Sequence, residues 1–198
     1  MDEYQAGFAL GLARKALSTW LETGKELELK SLPEFLKEKK GVFVTLWLWP
    51  ELELRGCIGI PYPVFRLDKA IISSAIQAGQ DPRFEPVKAE ELKEIVFELS
   101  VLTQPKPVEA DPEEYPKLIK IGRDGLIIQA RGRSGLLLPQ VAVEHGMDEN
   151  EFLIQVCLKA GLPPLAWKEP GVKLYTFQAE VWRELEPEGP PERIILSR

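Results

Sequence analysis

Gly41-Val42-Phe43-Val44-Thr45-Leu46-Trp47-Leu48-Trp49-Pro50-Glu51-Leu52-Glu53-Leu54-Arg55-Gly56-Cys57-Ile58-Gly59-Ile60 is the stretch whose reading decides the fold. Val42 to Trp49 is β-branched, aromatic and leucine-rich throughout, as a strand covered on both faces requires. Pro50-Glu51 then turns the chain into a second strand, Leu52 to Ile60. Side chains alternate along a strand, so Leu52, Leu54, Gly56, Ile58 and Ile60 share one face, read as core. Glu53, Arg55, Cys57 and Gly59 share the other. One hairpin therefore supplies a sheet centre and a row of groups capable of chemistry.

Upstream, Phe8, Leu12, Ala16 and Trp20 recur at four-residue spacing with Ala13 and Leu17 beside them, which predicts a helix from Tyr4 to about Leu21, stopped by Gly24. Ser31-Leu32-Pro33-Glu34 reads as a capping box opening a short helix that ends at Gly41. Downstream, Leu67, Ala70, Ile71, Ser74, Ala75 and Ala78 mark a helix whose small residues allow close approach to the sheet. Asp81-Pro82-Arg83-Phe84 follows as a loop, and Ile95 to Leu102 reads as a third strand.

The stretch from Pro105 to Pro116 is rich in proline and acid and is where a lobe boundary is expected. Leu118 to Ile121, Leu126 to Arg131 and Leu136 to Leu138 read as short strands of an antiparallel meander, with glycine-containing turns between them. Asp148-Glu149-Asn150-Glu151 caps a helix through Phe152, Val156 and Cys157, which makes Cys157 a core residue. Val172 to Trp182 reads as a last strand. The composition of Glu186-Pro187-Glu188-Gly189-Pro190-Pro191 predicts an extended tail over residues 186–198.

The bulk numbers narrow the function classes. With 44% hydrophobic and 28% charged residues in 198, the chain has the composition of an ordinary globular domain. A formal charge of -6 makes the whole repel polyanions, so nucleic acid is not an expected partner beyond a local patch. Two cysteines give no disulfide framework, which predicts a reducing, cytoplasmic setting. The most apolar run, Val42 to Trp49, is too short to span a bilayer, so no membrane association is expected.

At Leu54-Arg55-Gly56-Cys57-Ile58-Gly59, preceded by Gly41-Val42-Phe43-Val44-Thr45-Leu46, the chain resembles the AMMECR family of domains. Further matches are Asp81-Pro82-Arg83-Phe84, Ser100-Val101-Leu102-Thr103, Leu137-Leu138-Pro139-Gln140-Val141 and Lys159-Ala160-Gly161-Leu162-Pro163, so the likeness covers the chain from first helix to last strand. Met147 departs from the tryptophan that the family often has there. The resemblance implies an α+β fold: a larger lobe with an antiparallel sheet flanked by helices, a smaller lobe, and a cleft between them near the Arg55-Gly56-Cys57 strand, all in one domain over residues 1–185. It implies no particular reaction or cofactor. It does imply association with MEMO-type or radical-SAM proteins as partners.

Cys57 lies two residues from a guanidinium on the same strand face, which reads either as a reactive thiolate or as a semi-buried structural thiol. His145, the sole histidine, is one candidate base for it, with Glu144 and Asp81 as acids that would otherwise have to move the proton. Arg55, in mid-strand among apolar neighbours, needs an anion: a carboxylate such as Asp81 or Glu98, or a phosphate- or carboxylate-bearing ligand. Arg83 adds a second cation, while Gly56 and Gly59 let a ligand or a neighbouring backbone approach. Taken together these residues suit an enzyme acting on an anionic small molecule or nucleotide-like substrate. The alternatives are a non-catalytic interaction module, or weak RNA binding through Arg123, Arg131 and Arg133. One histidine and two distant cysteines give no metal-ligand spacing.

Overall fold

The structure is a computed structural model that describes residues 1–195. The fold is α+β, and the chain divides into two compact units, one formed by Met1–Leu102 with Glu180–Ile194 and the other by Thr103–Ala179.

The first unit opens with α1 (Glu3–Thr23), started by a capping box between Asp2 and Gln5 and ended at Gly24, whose φ of 67° puts it in the left-handed region that glycine enters at least cost. The capping box expected at Ser31 does not form. Pro33 instead precedes a single 3-10 turn, Glu34–Lys37, that no side chain caps, and Leu36, fully buried, fastens it to the core. The hairpin follows as β1 (Gly41–Leu48) and β2 (Glu53–Ile60). Its register slips by one residue between Leu46 and Trp47, so Leu46 faces Gly56 while Trp47 faces Leu54.

The helix α2 (Leu67–Ala78), a 3-10 turn (Ala89–Glu94) and β3 (Ile95–Leu102) complete this part. Every residue of β3 is buried, and it pairs antiparallel with β1 along its whole length. Val42, Val44 and Leu46 of β1 join Phe97 and Leu99 of β3 in one core with Ala9, Ala13 and Ala16 of α1 and Ala70, Ile71 and Ala75 of α2. Alanine at the facing positions lets both helices lie close to the sheet.

In the second unit β4 (Lys106–Pro107) is followed by a 3-10 turn and α3 (Tyr115–Leu118). The strand expected over Leu118 to Ile121 is absent: the chain leaves α3 directly into a turn in which the Asp124 carboxylate accepts the Lys120 N–H at 2.9 Å. The meander is β5 (Asp124–Ala130) and β6 (Arg133–Leu137), followed by α4 (Pro139–Glu144) and α5 (Glu149–Lys159). Phe152, Leu153, Val156 and Cys157 of α5 pack with Leu126, Ile128 and Trp167 into this unit's core, so Cys157 is a core thiol as its helical position predicts.

The long strand β7 (Lys173–Glu184) gives its first half to β5 in the second unit and its last residues to the first, where the order is β2-β1-β3-β7. Residues 186–194 are not an extended tail. They turn back as β8 (Pro191–Ile194), pairing antiparallel with Val181–Glu184. The turn is closed by Leu185 N–H to Pro190 O at 3.1 Å and Gly189 N–H to Glu186 O at 2.8 Å. Proline stiffens this loop, and the β7 backbone supplies the partners that composition alone does not reveal. The expected tail beyond residue 195 lies outside the described residues.

Candidate functional site

The strand β2 lies at the sheet edge, so every second residue turns its N–H and C=O away from β1. At Cys57 those outward groups are taken up by the loop after α2. Asp81 Oδ2 accepts the Cys57 N–H at 2.9 Å, and Arg83 Nη2 donates to the Cys57 carbonyl at 3.3 Å. Arg83 also grips Asp81 from two sides, Nε to Oδ1 at 3.0 Å and Nη2 to Oδ2 at 2.6 Å, while its own backbone N–H reaches Oδ1 at 3.1 Å. An aspartate and an arginine thus stand where the next strand of a sheet would be.

This arrangement changes the chemistry expected of Asp81. Arg83's hydrogen bonds, joined by the two backbone N–H groups and outweighing burial, hold its carboxyl far below the usual carboxylate range. A carboxylate with both oxygens engaged and only 1% of its side chain exposed is a poor proton acceptor near neutrality, and its hydrogen bonds anchor the loop to β2.

Cys57 is half-buried. Burial pushes its thiol up from the ordinary value, against the hydrogen bond that Thr45 Oγ1 donates to its sulfur at 3.2 Å and the nearby charge of Arg83. Desolvation outweighs the cation here, which disfavours the thiolate relative to the neutral thiol. Thr45 faces Cys57 on one side and Glu98 on the other, which lines up a polar row across β2, β1 and β3 on the face opposite the helices. Glu98 is buried, and Arg183 approaches it at 3.7 Å.

Arg55 has its anion, though neither of the expected carboxylates. Glu91, in the 3-10 turn before β3, takes Nε at 2.9 Å and Nη2 at 3.2 Å in a bidentate pair, and 12% of the Arg55 side chain is exposed. Burial pushes the Glu91 carboxyl up, but Arg55 and the Lys88 N–H outweigh it and leave it below its ordinary value. Sequence reasoning missed Glu91. Its one signal is Lys88-Ala89-Glu90-Glu91, in which the fourth residue reaches back to the backbone of the first.

Both glycines answer to packing. A Cβ on Gly56 would stand 2.1 Å from the Ala78 carbonyl oxygen at the end of α2, and one on Gly59 would stand 2.4 Å from the Phe43 ring. At both positions the approach is that of neighbouring protein atoms. Glu144 ends α4 and is exposed, and it and His145 belong to the second unit. The structure therefore brings Cys57, Asp81, Arg83 and Gly56 together, and sets Arg55 in its own pair with Glu91 on the same strand.

Arg83 keeps an outward side. Of a guanidinium's five N–H donors, Asp81 and Cys57 account for those on Nε and Nη2, leaving the two on Nη1 for an outside acceptor. Its side chain is 56% exposed, with the guanidinium carbon 5.6 Å from the centre of the Phe84 ring. Among the described residues no group of three or more His, Cys, Asp or Glu side chains is placed to hold a metal ion. No helix among them is long and apolar enough to cross a membrane.

The family model described as AMMECR1 matches residues 10–182. Protein PF1979 of Pyrococcus furiosus is 53% identical over 94% of this chain and 91% of its own length. Protein MJ0810 of Methanocaldococcus jannaschii is 50% identical over 92% of this chain and 91% of its own. The crystal structure of protein PH0010 from Pyrococcus horikoshii is similar with a TM-score of 0.93 at 50% identity, covering 99% of both chains. Matches of that extent, over the edge strand and the loop that caps it alike, show that the chain belongs to the AMMECR1 family.

Proposed function

We propose that this chain is a binding module whose edge strand offers the outward face of Arg83 to a carboxylate or phosphate, with no covalent part for Cys57. The observation that carries the reading is the asymmetry of the Asp81–Arg83 pair: a carboxylate 1% exposed holding a guanidinium 56% exposed. Such a guanidinium is oriented before any ligand arrives, which lowers the ordering cost of binding. Enzymatic action on a nucleotide-like substrate is the weaker reading, since burial disfavours a Cys57 thiolate and both Asp81 oxygens already accept hydrogen bonds from Cys57 and Arg83. The anion is carried by a small molecule or by a MEMO-type or radical-SAM partner, as the family likeness implies. A cytoplasmic setting accords with two free cysteines.

Calorimetric titration with inorganic phosphate, AMP and citrate tests the proposal. At least one of them binds the wild-type chain and binds the Arg83→Gln variant about tenfold or more weakly, a loss of ~1.4 kcal/mol. The effect shrinks as salt rises. No binding by the wild-type chain, or equal binding by both, overturns the proposal.

A further inference from the structure

Away from the edge strand, the first unit carries two exposed patches of opposite character. Between β2 and α2 the loop Pro61–Arg66 turns out Val64 and Phe65, 54% and 53% exposed. The segment before β1 is tied to this loop by a bridge between Lys39 and Arg66 and by Leu67 N–H to Glu38 O at 2.8 Å. Lys39, Lys40, Arg66 and Lys69 thereby lie on the segments that adjoin the loop carrying the two apolar side chains. Arg66 is paired with Asp68 and Lys40 with Glu38, while Lys39 and Lys69 carry exposed ammonium groups. In a chain of net charge -6 this is a local positive surface with an apolar centre.

The loop joining β7 and β8 is its complement. Leu185, 53% exposed, stands beside exposed Glu186 and Glu188. The two backbone hydrogen bonds that close this loop fix its shape, and Glu188 holds a φ of 64°, a conformation that a non-glycine residue keeps only when its surroundings impose it. Both surfaces are formed before contact, so little ordering entropy opposes their meeting.

We infer that the acidic Leu185–Glu188 loop of one copy docks on the Val64–Phe65 patch of a second copy of this chain. Leu185 lies on the two apolar side chains, and Glu186 and Glu188 lie against Lys39 and Lys69. The contact is small and electrostatic in character, so the association is weak and sensitive to salt.

Sedimentation equilibrium on the full chain at about 100 μM and upward, with paired charge reversals, tests this. The wild-type chain associates, and raising salt from about 50 mM to about 500 mM weakens the association about tenfold. Lys39→Glu with Lys69→Glu, and separately Glu186→Lys with Glu188→Lys, each leave a monomer whose thermal unfolding matches wild type. Mixing the two variants restores association, because each then offers the charge that the other needs. Should a reversal variant fail to fold, Phe65→Ser and Leu185→Ser replace the pairs, and each must weaken association about tenfold. A wild-type chain that stays monomeric throughout, or association that survives these substitutions, or a mixture that remains monomeric, contradicts the inference.

Discussion

At the scale of single residues, the site is governed by what each group has already been given. Asp81 receives N–H groups from Cys57 and Arg83 besides the Arg83 guanidinium, and is therefore ionised in the folded chain at pH values where an unfolded aspartate binds a proton. Its stabilising contribution is present above the unfolded pKa of about 4 and is lost as pH falls below that. Asp81→Asn is accordingly less stable than wild type at pH 7, and the gap narrows as the pH is lowered from about 5 toward 2, read by urea unfolding at each pH. A gap that stays constant across that range removes Asp81 from the account.

Gly56 makes a second prediction of the same kind. Alanine there drives its Cβ into the backbone of α2, which cannot yield as a flexible side chain would, and costs about 3 kcal/mol in denaturant unfolding. Unaltered stability would mean that helix and strand are free to part. The thiol of Cys57, raised by burial, is alkylated by iodoacetamide more slowly at pH 7.5 than a free cysteine, and gains rate as pH rises. A rate at pH 7.5 above that of free cysteine would restore the thiolate.

Elements show where sequence reading succeeds and where it stops. The hairpin, α1, α2 and β3 were legible because a strand covered on both faces leaves a short continuous apolar run and a helix packed on one side keeps its apolar residues three and four apart. Cys157 was legible for the same reason. The β8 strand was hidden: Pro191 and its acidic neighbours carry no strand pattern, and the strand exists because β7 offers it backbone partners. Glu91 was hidden because 36 residues separate it from Arg55 and it sits in a polar turn like any other. Close approach was suggested by Gly56, but only the position of the Ala78 carbonyl says what approaches.

A buried cross-element tie was also unseen in the sequence. Arg14 of α1 donates to both oxygens of Glu184 on β7, at 3.0 and 2.6 Å, and to the carbonyls of Leu92 and Ile95, while lying 4.7 Å from the Phe97 ring centre. Glu184 in turn accepts the Phe97 N–H at 2.9 Å. Removing one charge strands the other in a nearly dry setting, so Glu184→Leu costs about 3 to 5 kcal/mol, and the double variant with Arg14→Met recovers part of that loss. Additive losses in the cycle would show that the two side chains act independently.

For the molecule as a whole, the proposed binding role rests on an edge strand whose outward groups at Cys57 and whose Arg55 side chain already have partners within the chain. Arg83 is the exception, anchored by a buried carboxylate and open on its other side. The most direct test is an amide and Cys57 Cβ chemical-shift titration of the labelled chain with inorganic phosphate. Saturable shifts centred on Arg83, Phe84 and Cys57, with the Cβ signal remaining that of a neutral thiol at pH 7, are the predicted result. Shifts confined to other surfaces, an absence of saturable shifts, or a thiolate signal at that pH would contradict it.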